Sequence, residues 1–334
     1  MKKEPLVSVI IPNYNHALFL EERIESVLNQ TFQDFEIILL DDHSKDSSLE
    51  ILYKYKKHPK IRHFEVNTIN SGSVFKQWVK GINLAKSKYT WIAESDDVAH
   101  PEFLEKMINF AEQKDNLGLV FCKSIIIDEK SNKIGEKSSF KKKYIDFKII
   151  GCDLVSEFLI KQMVVPNASS VLFLSEAIEE IDFNKLVKFK NTGDRFTYIQ
   201  IGFKRCIFYI DNFLNYNRIH DSNTTKKNVA NFAIYRDRLN IVNGMILECS
   251  ESALASKNLL EFYLNNIFFM IRSNSGKKNQ KVLFKLYKYS YLDRNSLLKF
   301  SFLNLITLIF KGSLPHFIRV NYKSYIFSKF DVQI

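Results

Sequence analysis

The sequence is poor in cysteine, lacks a long hydrophobic run, and lacks an apolar segment of signal-peptide length near its start. Its four cysteines form no CxxC pair, so their spacing predicts no zinc site. The longest apolar stretch, FSFLNLITLIF at 300–310, is shorter than the roughly 20 residues that span a bilayer. The first apolar run has only six residues before Pro12, too few for the core of a secretory signal. These absences predict a cytoplasmic chain without a transmembrane helix.

The composition is that of a folded chain whose excess positive charge lies in its last third. Of the 334 residues, 46% are hydrophobic, which is too many for a disordered protein. Residues 1–222 hold 31 Lys and Arg and 31 Asp and Glu, whereas residues 223–334 hold 17 and 6 and therefore carry the whole net charge of +11. A basic, aromatic-rich segment is typical of a surface that contacts anionic lipid or another polyanion, although a solvated helical bundle has the same composition.

The first 120 residues alternate short β-rich runs with helical patterns. The β-rich runs lie at 6–11, 35–40, 61–66, 89–93 and 117–121. This alternation predicts βαβ units on a mostly parallel sheet, and therefore an α/β fold.

The rest of the chain has a less regular pattern. Its periodicity predicts a helix at 153–162, a strand at 168–174, a helix at 194–203 and strands near 206–217. We expect these elements to complete the same domain as the first 120 residues. Strand signals then fade. The sequence therefore predicts one domain over 1–222 and a basic, mostly helical region over 223–334.

Polar side chains follow the predicted strands at the points where the strands end. The segments are PNYN at 12–15, DDHS at 41–44 and ESDD at 94–97. Ligands of open α/β sheets bind at the carboxyl ends of the strands, so these segments are the candidate site. A dinucleotide-binding unit would need a Gly-rich turn after the first strand, and IIPNYNHALF contains no glycine. A phosphoacceptor receiver domain would need its acidic pair after the first strand and a shorter chain.

The acidic residues at these strand ends suit two different tasks. Asp42 can accept a hydrogen bond from a base or a ribose, and Tyr14 can stack on the base. Glu94, Asp96 and Asp97 repel one another unless a cation offsets them, and carboxylate oxygens are ligands that Mg²⁺ and Mn²⁺ prefer. Simpler structural roles stay open: Asp96 and Asp97 could serve only to cap the helix near 101, and Asp41 and Asp42 could serve only to cap a turn.

These stretches resemble the family 2 glycosyltransferases, the inverting group with the Rossmann-like GT-A fold. The resemblance rests on VSVIIPNYNHALFLEERIESVLNQTFQDFEIILLDDHSKDSSLEIL and NSGSVFKQWVKGINLAKSKYTWIAESDDVAHPEFLEKM, and it covers about 5–222. It implies that Pro12, Tyr14 and Asp42 contact the base and ribose of a donor nucleotide.

The family's DxD metal motif falls on ESDD. The resemblance implies that Asp96 is the main ligand of a Mn²⁺ or Mg²⁺ ion, with Asp97 beside it. Glu94 stands where the family usually has Asp, and the resemblance implies that it contacts the donor ribose. Carboxylate chemistry is nevertheless retained at this position.

Three further segments resemble parts of the family. NTGDRFTYIQIG aligns Asp194 with the carboxylate base, although Gly193 stands where the family has an acid and Asp194 could instead be an N-cap. NYNRIHDSNTT implies that Arg218 approaches the donor diphosphate and that His220 contacts the metal. Lys76, at the start of a predicted helix, would face an anionic partner such as that diphosphate, or else only solvent.

The resemblance implies a transferase that moves a sugar from a nucleoside diphosphate to a hydroxyl of a growing surface glycan or lipid-linked glycan. UDP is the nucleotide we expect. Peripheral attachment of the basic region at the inner face of the cell membrane would suit such an acceptor. No nucleic-acid partner is predicted. Two rival functions stay open: a sugar-nucleotide nucleotidyltransferase, and a GT-A protein that binds glycans or polyanions without turnover.

Overall fold

Ten strands of the described residues form one mixed sheet. The structure, a computed structural model, describes residues 4–137, 140, 147–220, 233–249, 251, 252, 254, 255, 258, 259 and 262. Contacts divide the chain into two units, Met1–Asp237 and Arg238–Ile334. The predicted boundary at 222 lies among residues outside the described ones, so the division into 1–222 and 223–334 stays a prediction.

One half of the sheet is parallel and has the strand order β3-β2-β1-β4. Its strands are β1 (Val7–Asn13), β2 (Phe35–Asp41), β3 (Ile61–Val66) and β4 (Tyr89–Ile92). Each strand begins and ends within two residues of its predicted bounds. The prediction of βαβ units on a parallel sheet is therefore confirmed.

The other half of the sheet is mixed and continues from β4 in the order β9-β6-β10-β5. Its strands are β5 (Val98–Ala99), β6 (Leu117–Ile127), β7 (Lys133–Lys137), β8 (Lys148–Ile149), β9 (Val171–Leu174) and β10 (Cys206–Arg218). Strand β9 runs antiparallel to both β4 and β6, and β10 runs parallel to β6. Strands β9 and β10 therefore belong to the same sheet as the strands of the first half.

The described helices lie between the strands along the chain and after the last strand. They are α1 (Ala17–Leu28), α2 (Ser48–Tyr55), α3 (Val74–Leu84), α4 (Phe103–Ala111), α5 (Gly151–Val155), α6 (Ser175–Glu179), α7 (Phe183–Leu186), α8 (Gly193–Lys204) and α9 (Ala233–Glu248). The helix predicted at 153–162 is α5 followed by a π-helical turn, Ser156–Gln162. Among the described helices, none is long and apolar enough to cross a bilayer. Most of the predicted helical region after 222 lies outside the described residues.

Strands β1 and β2 are buried along their whole length, which explains why most of their residues are apolar. Covering both faces removes each large aliphatic side chain from water, and this contributes roughly 1.5–3 kcal/mol per side chain. Ser8, the polar exception inside β1, hydrogen-bonds Glu36 and Ser87. Trp91 of β4 stacks on Phe103 of α4, with ring centroids 4.4 Å apart.

The strand order reverses direction between β1 and β4. From β1 the chain crosses to β2 and then β3 on one side, and it returns to place β4 on the other side of β1. Ligands of open α/β sheets bind in the crevice that such a reversal opens at the carboxyl ends of the strands. This topology therefore brings the ends of β1, β2 and β4 to one crevice.

Candidate active site

A cavity of about 460 Å³ occupies the crevice at the carboxyl ends of the strands. Its walls come from the ends of β1, β2 and β4, the loop before α3, the start of α8 and the end of β10. The lining includes most of the sequence-predicted site residues, namely Pro12, Tyr14, Asp42, Glu94, Asp96, Asp97, Asp194 and Arg218. Residues separated by up to two hundred positions in the sequence therefore share one wall surface.

Asp42 is a buried carboxylate just after β2 and is held in place by several donors. It accepts hydrogen bonds from Asn67 Nδ2 at 2.6 Å, from the Ser71 backbone N–H at 2.8 Å and from Gln77 Nε2 at 3.0 Å. Its side chain is therefore oriented before any ligand arrives. Tyr14, by contrast, is 44% exposed at the same cavity, so its ring has an accessible face.

Asp41, the other acid of the DDHS segment, has a local structural task. Its carboxylate accepts hydrogen bonds from Asn13 Nδ2 at 2.8 Å and from the Ser44 hydroxyl at 2.6 Å. These contacts join the ends of β1 and β2. Asp41 is absent from the cavity lining.

Asp96 lies beside two histidines. One ligand atom from each of His16, Asp96 and His220 lies within 4.8 Å of the other two, a grouping that could hold a metal ion. His220 Nε2 is 3.0 Å from Asp96 Oδ2. Burial opposes ionisation of Asp96, but the hydrogen bond from His220 and the nearby imidazoles lower its pKa below the ordinary value. Burial is also the main reason that the pKa of His16 is lowered, which favours the neutral imidazole that binds metals.

The sequence did not reveal His16 as part of this group. His16 comes directly after the PNYN segment and before α1, and its Nδ1 lies 2.8 Å from the Ser95 hydroxyl. The signal available in the sequence was its position beside a strand end that had already been assigned to ligand binding.

Asp97 faces away from this group and toward polar partners of the protein. Its carboxylate accepts hydrogen bonds from Asn167 Nδ2 at 2.5 Å, Asn217 Nδ2 at 3.1 Å and the Arg218 backbone N–H at 2.9 Å. Burial and the charge of Asp96 raise the pKa of Asp97 to about 6. These contacts tie the end of β4 to the end of β10.

Glu94 is oriented by an indole and is the most weakly acidic of the three carboxyl groups. Trp78 Nε1 donates to Glu94 Oε1 at 2.9 Å. Burial, and then the charge of Asp96, raise the pKa of Glu94 to about 8. Its backbone carbonyl accepts a hydrogen bond from Arg23 Nε at 2.8 Å.

Arg23 of α1 is a fully buried cation near the acidic strand end, and the sequence patterns did not single it out. Its guanidinium carbon lies 5.5 Å from the centroid of the Trp91 ring. Within the described residues, Nη1 and Nη2 have no hydrogen-bond partner. Burial lowers the pKa of Arg23, while the charges of Asp97, Asp96 and Glu94 oppose that shift. Its positive charge therefore offsets part of the carboxylate repulsion.

The two cationic residues that were predicted to bind the donor nucleotide lie in different places. The guanidinium of Arg218 is buried at the cavity, where it pairs with Glu22 Oε2 at 2.6 Å and donates to the Asp96 carbonyl at 2.8 Å. Lys76 is absent from the cavity lining and donates to the Ser71 carbonyl at 3.0 Å. Lys190, which the sequence did not suggest, does line the cavity.

Asp194 lies in the first turn of α8 and lines the cavity. The N-cap residue of α8 is Thr192, so Asp194 is not the N-cap. Burial raises the pKa of Asp194 above its ordinary value, and the hydrogen bond from the Arg195 backbone and the charge of Arg195 oppose the rise. The charge of Lys137 opposes it further. A buried carboxylate with a raised pKa is typical of a general base.

The structure explains why glycine precedes Asp194. A Cβ on Gly193 would lie 2.8 Å from two ring atoms of Phe75 and 2.8 Å from Leu186 Cδ1. Phe75 is only 3% exposed, so its ring cannot move aside without disturbing the core. The acid that the family usually has at this position would not fit here.

The sequence relationships agree with this geometry. Residues 8–163 match the profile described as Glycosyl transferase family 2. This match covers just under half of the chain. An uncharacterised glycosyltransferase of Methanocaldococcus jannaschii is 36% identical over 147 residues, which make up 43% of this chain and 50% of the relative. The match thus spans only half the length of that family member.

Two Staphylococcus aureus proteins are also similar to this chain. Poly(ribitol-phosphate) beta-N-acetylglucosaminyltransferase TarP is 36% identical over 118 residues, which are 35% of either chain. The crystal structure of TarS residues 1–349 in complex with UDP-GlcNAc superposes with a TM-score of 0.59 at 18% identity, covering 82% of this chain and 77% of that one. At this low identity the likeness concerns the fold, and it confirms the predicted GT-A fold.

Proposed function

We propose that this protein is an inverting glycosyltransferase that moves a sugar from a nucleoside diphosphate to a hydroxyl of an acceptor glycan, with UDP as the expected nucleotide. One observation carries the proposal: Asp42, Asp96 and Asp194 line the same cavity of about 460 Å³. These three carboxylates would serve the nucleotide, a divalent cation and the acceptor respectively. The match of residues 8–163 to the profile of glycosyl transferase family 2 supports the same reaction class.

Asp194 is the proposed general base. Its carboxylate takes the proton of the acceptor hydroxyl while that oxygen forms a bond to the anomeric carbon of the donor sugar. The bond from the anomeric carbon to the diphosphate oxygen breaks, and its electron pair leaves with the nucleoside diphosphate. A single displacement of this kind inverts the anomeric configuration. The raised pKa of Asp194 makes it a better proton acceptor than an exposed aspartate.

His16, Asp96 and His220 are the proposed residues for holding a divalent cation such as Mn²⁺ or Mg²⁺. Two imidazoles and a carboxylate with ligand atoms within 4.8 Å of one another fit such an ion. When bound, the ion supplies positive charge that stabilises the departing diphosphate. The imidazole nitrogens favour Mn²⁺ over Mg²⁺, because Mg²⁺ selects oxygen ligands.

The donor would sit with its base between Tyr14 and the wall formed by Pro12. Asp42 would accept a hydrogen bond from the base or the ribose, since its carboxylate is already oriented toward the cavity. TarS binds UDP-GlcNAc with the same fold, which supports a UDP-linked donor.

The acceptor is proposed to be a surface glycan or a lipid-linked glycan. The similar protein TarP is named as an N-acetylglucosaminyltransferase of poly(ribitol-phosphate), and this supports a polyhydroxyl polymer as the acceptor class. The basic region after 222 would bring the enzyme to an anionic membrane surface.

A panel of sugar nucleotides tests the proposed function. The full chain is incubated with Mn²⁺, a mixed glycan acceptor and each donor, and the products are identified by mass. We expect one UDP-sugar to be consumed with inversion, and Asp194→Asn to abolish transfer while UDP still binds. A pyrophosphorylase product would instead favour the nucleotidyltransferase alternative, and binding without turnover of any donor would favour the inactive binder.

Vesicle sedimentation tests the membrane proposal. We expect the full chain to bind anionic phosphatidylglycerol vesicles, to ignore neutral phosphatidylcholine vesicles and to dissociate as salt rises. A chain that ends after Glu248 loses 13 Lys and Arg and four Asp and Glu, so its binding should fall. Equal binding to both vesicle types would refute an electrostatic attachment.

A further inference from the structure

Asp237 is a buried carboxylate that contacts the segment leading to the proposed base. It lies on α9 within the unit Met1–Asp237 and is 1% exposed. Its Oδ2 atom accepts hydrogen bonds from the backbone N–H groups of Lys190 at 2.7 Å and Asn191 at 2.9 Å. One carboxylate oxygen thus fixes two consecutive amides.

These two amides belong to the wall of the cavity. Lys190 and Asn191 both line it, and the chain continues through Thr192, the N-cap of α8, to Asp194 in the first turn. An anchor at 190–191 therefore sets where α8 begins. It also sets where the Asp194 carboxylate lies relative to an acceptor.

The carboxylate suits this location electrostatically. Backbone N–H groups that are buried without an acceptor destabilise the fold, and hydrogen bonds to a charged acceptor are stronger than neutral ones. The segment also precedes the positive end of the α8 dipole, where a negative charge is favoured. Asp237 therefore stabilises the observed conformation of 190–191 by accepting both hydrogen bonds.

A second contact holds the same segment at Gly193. Gly193 packs against Phe75 and Leu186 so closely that no side chain fits there. The segment 190–194 is consequently held between an ionic hydrogen-bonding anchor and an apolar packing contact. Precise placement of this kind matters for a general base, because a displacement of 1 Å can cost about a hundredfold in rate.

We propose that Asp237 is a positioning residue that holds the 190–194 segment so that Asp194 meets the acceptor hydroxyl. The proposal rests on the proposed function in taking Asp194 as the base. It assigns to the first turns of α9 a part in catalysis, although no atom of Asp237 touches substrate.

Amide hydrogen exchange tests the anchor in the full chain independently of turnover. Asp237→Ala should speed exchange in the peptide over 190–196 by at least about tenfold, because its two amides lose their acceptor. Asp237→Asn should stay near wild type, since its side-chain oxygen can still accept both bonds. The matched control is Asp182→Ala, which removes a carboxylate that caps the neighbouring helix α7 through the Lys185 N–H at 3.0 Å. Unchanged amide exchange over 190–196 in Asp237→Ala would refute the proposed anchoring role of Asp237.

Turnover and UDP calorimetry then test the catalytic consequence. We expect Asp237→Ala to lower kcat by about tenfold to a hundredfold with the Kd for UDP within about twofold of wild type, whereas Asp237→Asn and Asp182→Ala retain kcat. If Asp237→Ala does not fold, Asp237→Ser replaces it, because the shorter side chain cannot reach both amides. Full kcat in a folded variant would refute the positioning role. Full kcat in Asp194→Asn would instead refute the proposed base, which separates the two failures.

Discussion

The Nε2 atom of His220 lies 3.0 Å from Oδ2 of Asp96, although 124 residues separate them in the sequence. The pairing of β10 with β5 brings this about, because Asn215 lies opposite Ala99 just after the acidic segment. His16, which comes from the end of β1, completes the group. Three elements of the sheet thus supply one atom each to a candidate cation site.

Removing Asp96 should weaken metal binding most. We expect Asp96→Ala to reduce Mn²⁺ affinity by more than about a hundredfold, because it removes the only carboxylate of this group of three residues. His16→Ala and His220→Ala should each reduce the affinity by about tenfold or more. Isothermal calorimetry with Mn²⁺ measures all three. If Asp96→Ala binds Mn²⁺ as tightly as the wild type does, the group is not a metal site.

Asp97→Asn should lower the stability of the protein more than its affinity for Mn²⁺. Three donors of the protein already face the Asp97 carboxylate, so this variant should lose stability by about 1–3 kcal/mol and keep most of its Mn²⁺ affinity. Denaturant unfolding and calorimetry measure the two quantities. A large loss of Mn²⁺ affinity with no loss of stability would support the assignment of Asp97 as a ligand that the family resemblance implies.

Gly193→Ala should destabilise the protein. The added Cβ would lie 2.8 Å from the Phe75 ring, and overpacking of this kind typically costs about 1–3 kcal/mol. Chemical denaturation measures the change. Gly72→Ala is a useful comparison, because nothing lies within 4 Å of its added Cβ and only its positive φ of 71° is strained. Equal stability of Gly193→Ala and the wild type would show that the Phe75 ring shifts to accommodate the added methyl group.

In the pH profile of kcat, the acidic limb should lie at a higher pH than the pKa range of an ordinary aspartate. Asp194 acts as a base only when ionised, and burial raises its pKa, so activity is lost at a higher pH as the solution is acidified. Lys137 opposes this rise through its charge, so Lys137→Met should move the limb to still higher pH. Lys133→Met, on the exposed part of the same strand, should not move it. A limb that is unchanged in Lys137→Met would contradict the assignment of Asp194 as the titrating base.

Asp42→Ala should affect both UDP binding and stability. The substitution leaves the Asn67, Ser71 and Gln77 donors without their shared acceptor, at a cost of about 1–3 kcal/mol for each donor that stays dry. It also removes the carboxylate proposed to contact the nucleotide. UDP calorimetry on the folded variant measures the second effect, with the exposed Asp34→Ala as a control. Wild-type UDP affinity in Asp42→Ala would limit Asp42 to a structural role.

The fold could be predicted from the sequence because its central strands are buried on both faces. Strands β1 and β2 must then be mostly apolar, and this leaves hydrophobic runs whose ends are visible in the sequence. The same argument located Asp42 and the ESDD segment at one sheet edge, since parallel strands present their carboxyl ends together. Both predictions depend only on local sequence and on strand direction.

The sequence by itself therefore determined which strands form and where their polar ends meet, whereas tertiary structure decided the task of each polar side chain. Asp96 and Asp97 are adjacent in sequence, yet one faces His16 and His220 and the other faces Asn167 and Asn217. Their directions depend on side chains that distant elements bring close. Asp237 illustrates the same limit, because only folding places its carboxylate against the amides of 190–191. Spacing along a chain does not encode such contacts, since they arise from the packing of elements far apart in sequence.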